Sequence, residues 1–259
     1  MTDPRISADP RISADPRISA DPRFSAELRA TLALAAPAVR AASAALWRPA
    51  GLRARYLGYL GAMHALLRAS VPLLELAAAR CAELAPGDPA AGPLGRYLLR
   101  HAEEERGHDD WLLADLAVAG GDPAAALAAV PPAAVAAMAG AQYYWIEHHH
   151  PVALLGYLAV LEGNAPAPGL AQRLAAGTAL PAAAFRTVRD HALLDTGHLA
   201  ELDGLLDRLP LGPDRRTAVR VSALHTAREL ARLFHELAAD HRPVFPLAPV
   251  PAPVPGGPP

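Results

Sequence analysis

Apolar residues recur along this chain at intervals of three and four, which is the period of an α-helix. No stretch alternates apolar and polar residues with the period of two that marks a β-strand. Seven helical stretches separated by Pro and Gly clusters are predicted. They cover about 25–47, 52–84 and 92–119, one stretch after Pro131–Pro132, one that ends at Gly163, and about 181–206 and 214–240. Ser25 is expected to cap the first helix, and Pro37 to kink it.

The composition agrees with an all-α fold. Hydrophobic residues make up 52 % of the 259 residues and aromatic residues only 5 %, which favours close-packed helices over sheets. The sequence predicts one seven-helix bundle over residues 25–242. Residues 1–24 repeat a hexapeptide with one Pro per repeat and residues 243–259 are rich in Pro, so both ends are predicted to be disordered tails.

Charge and cysteine content exclude several functional classes. All 24 basic residues are Arg and the formal net charge is −2, without a basic stripe among aromatic residues, so nucleic acid is not an expected partner. The absence of Lys excludes Schiff-base chemistry on this chain. The single cysteine, Cys81, cannot form an internal disulfide, and neither a signal peptide nor a membrane span is predicted. A cytoplasmic location is therefore expected.

Two groups of polar residues have the spacing of metal ligands. His191, Asp195 and His198 stand at i, i+4 and i+7, so they fall on one stripe of the predicted helix. Glu105 and His108 are about 60° apart on another predicted helix. Nitrogen and oxygen donors that converge from separate helices form sites for redox-active iron or manganese in helical bundles.

Glu162 supplies a further candidate ligand. It follows residues 152–161, which carry no charge on any side and therefore predict a buried helix. A buried carboxylate costs several kcal/mol unless it is paired or bound to a cation, so Glu162 needs a partner. Three carboxylates and three imidazoles together suit a pair of first-row metal ions with open positions for dioxygen.

These residues resemble the heme-oxygenase-like diiron oxidases and oxygenases. The family pattern is Glu-x-x-His on one core helix, a lone Glu on a second and His-x-x-x-Asp-x-x-His on a third, which here corresponds to Glu105 and His108, Glu162, and His191, Asp195 and His198. The flanking residues 101–111 and 149–157 are similar as well, and the resemblance covers roughly residues 50–240. It implies a fold shared with heme oxygenase and thiaminase-like proteins but without haem, two irons, and O2-dependent oxidation of a small substrate. Amino acids, guanidines and fatty acids are the known substrate classes, and a homodimer is the family expectation.

Several alternatives remain open at this point. Glu103 and Glu104 compete with Glu105 as the ligand, although the family spacing favours Glu105. Glu147 and His150 repeat the Glu-x-x-His spacing, as a ferritin-like diiron protein requires, but that reading leaves the His191 stripe unexplained. The stretch His148–His150 is therefore interpreted as structural or pocket-lining.

Other residues favour structural interpretations. Cys81 is expected to be a buried small hydrophobe rather than the nucleophile of a thiaminase-like hydrolase. His64 is expected to be a core histidine with a satisfied hydrogen bond, and Arg186 and Arg189 to be surface residues rather than substrate contacts. A non-catalytic partner or carrier protein of the same fold is the alternative from a different functional class.

Overall fold

A computed structural model describes residues 23–239, so the predicted tail 243–259 and all but the last two residues of the predicted leader 1–24 lie outside the described residues. The described part contains α-helices and two short 3-10 helices but no β-strand, which confirms the all-α prediction. The α-helices are α1 (Phe24–Leu46), α2 (Leu52–Leu67), α3 (Ser70–Leu84), α4 (Ala91–Glu105), α5 (His108–Val118), α6 (Pro123–Ala128), α7 (Ala133–His148), α8 (Leu154–Gly163), α9 (Leu170–Thr178), α10 (Arg186–Arg208) and α11 (Pro213–Ala239). The 3-10 helices span Pro151–Ala153 and Ala182–Phe185.

Two of the predicted long helices are each divided in two. The predicted helix 52–84 is interrupted at Arg68 and Ala69, between α2 and α3. The predicted helix 92–119 is interrupted at Arg106 and Gly107, where Gly107 has a φ of +84° that only glycine adopts without strain. Glu105 therefore ends α4 and His108 begins α5, so the prediction that both lie on one helix is wrong.

The start of α1 also differs from the prediction. The helix begins at Phe24, and Ser25 lies buried inside its first turn instead of capping it. The backbone N–H of Ser25 donates to Asp207 Oδ1 at 2.9 Å and its hydroxyl donates to Asp207 Oδ2 at 3.1 Å. The polar group that was expected to stabilise its own helix instead joins α1 to α10.

Helix α8 is the central element of the core. Every residue from Leu154 to Val160 is buried, as the absence of charge in this segment predicted. A Cβ atom added to Gly156 would lie 2.1 Å from the carbonyl oxygen of Val219, so the backbones of α8 and α11 pack closer than any other residue would allow. This close approach fixes α8, and with it the position of Glu162 at its end.

One helical stretch, Leu52–Leu84, is long and apolar enough to cross a membrane by length and composition. It is the segment divided into α2 and α3, and several of its apolar residues, among them Leu60, Leu66 and Leu73, are fully buried in the protein. Core helices of this kind have the same length and composition as membrane spans, so the stretch gives no reason to propose one.

Candidate metal centre

The ends of three helices and the middle of a fourth bring candidate ligands together in the core. Helix α4 ends there, α5 begins there and α8 ends there, while α10 passes alongside. Two groups of side chains each place one ligand atom per residue within 4.8 Å of all the others. The first group is His101, Glu105, Glu162 and His198, and the second is Glu105, His108 and His191.

The first group surrounds the buried carboxylate of Glu162. Its Oε1 lies 3.3 Å from Nε2 of His101, and its Oε2 lies 3.3 Å from Nδ1 of His198. The same Nδ1 atom of His198 lies 3.6 Å from Oε1 of Glu105. Glu162 is only 8 % exposed, so the carboxylate that the sequence predicted to need a partner is in the interior and has imidazoles on both sides.

The second group shares Glu105 with the first. Oε2 of Glu105 lies 3.3 Å from Nδ1 of His108. The rings of His108 and His191 meet edge to face with centroids 5.1 Å apart. Nδ1 of His191 is 3.0 Å from the carbonyl oxygen of Thr187, which can only accept, so Nδ1 carries the proton and Nε2 has a free lone pair. A hydrogen bond of this kind orients a histidine that binds a metal ion through its other nitrogen.

Four imidazole nitrogens in this region are buried without a hydrogen-bond partner: Nε2 of His101, Nδ1 of His108, Nε2 of His191 and Nδ1 of His198. Leaving a buried polar atom unpaired costs about 1–3 kcal/mol, and buried polar groups are almost always paired. All four nitrogens belong to the two groups, where carboxylates complete a nitrogen and oxygen donor set without thiolate. Such a set fits iron or manganese.

Asp195 belongs to neither group but is buried in the wall of the same cavity. Burial raises the pKa of its carboxyl group to about 8, with smaller contributions from the negative charges of Glu162 and Glu105. For Glu162, burial alone would raise the pKa, but the close contacts with His101 and His198 outweigh it and lower the pKa. Contact with Glu162 is the main reason why the pKa of His198 rises to about 9. Burial lowers the pKa of His191. At neutral pH the Asp195 carboxyl group is therefore protonated, whereas Glu162 is ionised beside a protonated His198, and a bound cation would favour the ionised form of Asp195.

A cavity of about 100 Å³, which is partly open to solvent, adjoins these ligands. Five of the candidate ligands reach it: His101, Glu105, Glu162, His191 and Asp195. The rest of its wall is mostly apolar and comes from α2, α3, α5, α8, α10 and α11: Tyr59, Met63, Leu67, Leu74, Leu112, Leu158, Leu161, Val188, Leu230 and Phe234, with Ala165 and Pro166 at the end of α8. The remaining polar lining residues are Ser70, Asn164 and Thr187.

The structure separates the three adjacent glutamates of α4. The side chain of Glu103 is 71 % exposed and pairs with Arg106 on the surface. Glu104 occupies an intermediate position, with Oε2 at 3.5 Å from Nδ1 of His101 and 3.8 Å from Nε2 of His198. Only Glu105 takes part in both groups, which supports the choice made from the family spacing.

The second Glu-x-x-His match is not a metal site. Glu147, His148 and His149 are exposed, whereas the buried His150 bonds Asp88 at 2.8 Å, and none of these residues belongs to either group of converging ligands. The ferritin-like alternative is therefore wrong for this segment, and His150 has the structural role that was expected.

The other expectations from the sequence concern residues outside the two groups of candidate ligands. Cys81 is 1 % exposed, as predicted, and is not among the lining residues of the cavity. His64 is buried, but its Nδ1 has no hydrogen-bond partner, so the expectation of a satisfied core histidine is wrong in that respect. Arg186 lies over the Trp111 ring at 4.3 Å and, with Arg189, contacts Asp190 on the surface. Leu193 and Leu194, which lie between the candidate ligands His191 and Asp195 in the sequence, are 76 % and 39 % exposed.

His101 is the candidate ligand that the sequence analysis missed. It lies four residues before Glu105 on α4, and therefore on the same helix face. The sequence contains this spacing, but the family pattern has no histidine at this position, and its only ligands on this segment are Glu105 and His108.

Solved structures with similar folds define the class of this protein. A protein domain of unknown function from Shewanella denitrificans OS217, described as having a heme oxygenase-like fold, matches 83 % of this chain and 88 % of its own with a TM-score of 0.63 and 18 % identity. A TenA homologue from Pseudomonas syringae pv. tomato DC3000 matches 84 % of this chain and 93 % of its own, with a TM-score of 0.64 and 12 % identity. The protein has a heme oxygenase-like fold, as predicted.

The sequence places the chain within that class. Residues 59–231, about two-thirds of the chain, match the model of a family described as iron-containing redox enzymes. The chain therefore belongs to this family, and the matched segment contains every candidate ligand. Comparison with curated protein sequences gives no match.

Proposed function

We propose that this protein is a non-haem diiron oxidase or oxygenase that uses dioxygen to oxidise a small metabolite. Membership of the iron-containing redox enzymes supports iron and redox chemistry in general. The observation that carries the finer proposal is the set of four buried, unpartnered imidazole nitrogens around shared carboxylates. The proposed ligands are Glu105, His108, Glu162, His191, Asp195 and His198.

In this proposal the residues around the site hold the metal ions, orient a ligand and exclude water. Two ferrous ions, when bound, supply the electrons that reduce dioxygen. Glu105 belongs to both groups, with Oε2 near His108 and Oε1 near His198, so this residue would help to hold both ions. The backbone carbonyl of Thr187 holds the His191 ring in one orientation, and the buried α8 wall keeps water away from the reacting centre. Manganese is an alternative metal because the donor set is the same.

The lining of the cavity narrows the substrate class. Apart from the candidate ligands, its described lining consists of aliphatic and aromatic residues with three neutral polar ones, and it contains no arginine. An amino acid brings a carboxylate and an ammonium group and a guanidine brings a cation, and these groups need buried polar partners; a fatty acid has one carboxylate and an alkyl chain that needs only apolar contacts. Of the three substrate classes named above, the fatty-acid-like one is therefore the one that we propose.

The proposal is tested by loading metal-free protein with Fe(II) in the absence of oxygen and then admitting oxygen. We expect about two irons per chain and rapid oxygen consumption for the wild type. His191→Ala and Glu162→Ala should each lose iron and oxygen consumption, because each removes a ligand. A wild-type protein that binds no iron at micromolar concentrations would refute the proposal, and it would favour a non-catalytic partner or carrier of the same fold.

The substrate class has its own test. A saturated fatty acid of about ten carbons should raise the melting temperature of the metal-loaded protein, because a ligand that binds only the folded state stabilises it. A free amino acid at the same concentration should have no such effect. The reverse result would assign the cavity to amino-acid-like substrates.

The cytoplasmic location remains part of the proposal and rests on the single cysteine.

A further inference from the structure

His101 is a buried histidine that the six proposed ligands leave without a function. Its side chain is 2 % exposed, and it lies on α4 one turn before Glu105. Nε2 is 3.3 Å from Oε1 of Glu162, but the contact lacks hydrogen-bond geometry, so this nitrogen has no hydrogen-bond partner. A buried histidine with a purely structural role normally has both ring nitrogens satisfied.

The orientation of the His101 ring is defined on both sides. The Tyr97 ring stacks against it with centroids 5.6 Å apart and an interplanar angle of 10°. The His198 ring meets it edge to face at 4.8 Å and 83°. Nε2 of His101 and Nδ1 of His198 thus approach the two oxygens of the same carboxylate, that of Glu162.

The other nitrogen of His101 faces a second carboxylate. Nδ1 lies 3.5 Å from Oε2 of Glu104, whose side chain is 36 % exposed at the edge of the site. Histidines that bind metal ions commonly direct their non-ligating N–H toward a carboxylate, which orients the ring and raises the basicity of the ligating nitrogen. The surroundings of His101 therefore have the arrangement of a metal-binding histidine, with Glu104 outside and the unpartnered Nε2 inside.

We propose that His101 is a seventh metal ligand and that it makes the two metal subsites unequal. Of the donors that already converge, the inner subsite then has four, from His101, Glu105, Glu162 and His198, whereas the outer subsite has three, from Glu105, His108 and His191. Asp195, the remaining proposed ligand, lies in the cavity wall outside both groups. This inference rests on the proposed metal site. Because more donors are already in place in the inner subsite, it binds the first ion and binds it more tightly than the outer subsite binds the second.

Cobalt(II) tests this inference without turnover, since its visible absorption reports the ligands around each ion. Metal-free wild-type protein, titrated by calorimetry and visible spectroscopy, should bind two ions in two steps of different affinity. In His101→Ala the tighter step should weaken at least about tenfold and its spectrum should change, while the weaker step stays within about twofold of the wild type. His191→Ala should show the opposite pattern. His235→Ala removes an exposed imidazole on α11 and should change neither step.

A second pair of measurements separates a ligand from a residue that only positions Glu162. If His101 is a ligand, added imidazole should restore the spectrum of the tighter site in His101→Ala, because the free ring can occupy the vacated space. If it only positions Glu162, His101→Asn should restore the affinity by offering an N–H at the same place. Restoration by Asn without an effect of imidazole would overturn the assignment, as would two unchanged binding steps in His101→Ala. Circular dichroism shows whether each variant is folded, and an unfolded His101→Ala leaves His101→Asn to decide the question.

The same titration distinguishes this inference from the proposed function. A wild-type protein that binds no cobalt refutes both. Two cobalt ions with the expected His101 dependence, in a protein whose iron form does not consume oxygen, would refute the oxidase proposal and still support His101 as a ligand.

Discussion

Two buried clusters of histidine and carboxylate in this protein differ in one respect. In the first cluster, Asp88 accepts from His150 Nε2 at 2.8 Å, from Arg215 at 2.6 Å and from the backbone N–H of Ala90 at 2.9 Å. The other nitrogen of His150, Nδ1, accepts from the backbone N–H of Val152 at 3.0 Å. Both ring nitrogens and both carboxylate oxygens therefore have partners.

The candidate metal centre buries the same residue types but leaves them incomplete. Four of its imidazole nitrogens have no hydrogen-bond partner, although carboxylate oxygens lie only 3.3 to 3.6 Å from three of them. A satisfied polar cluster fixes the fold, here by joining the chain before α4 to α11, whereas an unsatisfied one stores a cost that a ligand can remove. The structural cluster and the binding site therefore differ in the completeness of their hydrogen bonding and not in residue type.

The largest effect is expected for Glu105→Ala, because Glu105 takes part in both groups. Its loss removes a donor from each subsite, so affinity for both ions should fall at least about 100-fold. The number of metal ions per chain after gel filtration measures this directly. Glu103→Ala is the matched control: it removes a carboxylate from the same helix, but an exposed one paired with Arg106, and it should bind metal as the wild type does. Normal metal content in Glu105→Ala would show that the two groups are not metal subsites.

The reverse pattern is expected for Asp88→Ala in the satisfied cluster. The substitution leaves buried His150 without its acceptor and Arg215 without its counter-charge, which should lower the free energy of unfolding by about 3 kcal/mol. Urea denaturation of the metal-free protein measures this loss. Metal affinity of the folded fraction should be unchanged. If Asp88→Ala lowered metal affinity as much as stability, the separation into a structural and a binding cluster would fail.

Proton release on metal binding should give the next effect. At pH 7 the Asp195 carboxyl, with a pKa of about 8, and the His198 ring, with a pKa of about 9, both carry a proton in the metal-free protein. A metal ligand must lose that proton, so about two protons should be released and affinity should fall about 10- to 100-fold between pH 7 and pH 6. Calorimetry in two buffers of different ionisation enthalpy counts the protons. Asp195→Asn should reduce the number by about one, and a wild type that releases none would contradict the assignment of both ligands.

The stability of the metal-free protein should depend on pH with a definite sign. For His198 the folded-state pKa is raised, so its favourable interactions are present below its unfolded pKa of about 6.5 and are lost as the pH rises through about 9. For Asp195 the folded state disfavours the ionised form, and this penalty develops as the pH rises from about 4 to about 8. Both groups therefore lower stability with rising pH over this range, and bound metal should reverse the trend.

Much of the fold could be predicted from the sequence, because the helical period, the Pro and Gly boundaries and the uncharged segment 152–161 each report on local structure or burial. The interruption of the third predicted helix at Gly107 could not, because an isolated Gly after three glutamates has no signal stronger than the helical pattern around it. The prediction that Ser25 caps α1 failed because of a tertiary contact. Asp207 on α10 accepts hydrogen bonds from the backbone N–H and the hydroxyl group of Ser25.

The candidate metal centre, like the fold, could be predicted from the sequence only in part. The spacing of His191 and His198 predicted that both lie on one face of α10. In the structure His191 joins the group of Glu105 and His108, and His198 joins the group of His101, Glu105 and Glu162. Glu105 and His108 meet for a different reason than expected, since they approach across a tight turn between two helices instead of along one. The contact of His101 with Glu162, 61 positions away along the chain, depends on where the tertiary fold places the end of α4 relative to the end of α8, which a single sequence does not specify.

Cys81→Ala should give the smallest effect, and it tests the thiaminase-like hydrolase alternative that the sequence analysis considered. Burial raises the pKa of the Cys81 thiol to about 12, with a contribution from Asp88, so the thiol stays neutral and is a poor nucleophile at physiological pH. It packs against Gly95 on α4, away from the cavity lining. The substitution should therefore cost only about 1 kcal/mol of stability, from the lost packing of the sulfur atom. Metal content and oxygen consumption should equal those of the wild type, and a variant that is folded and metal-loaded but inactive would assign Cys81 a chemical role.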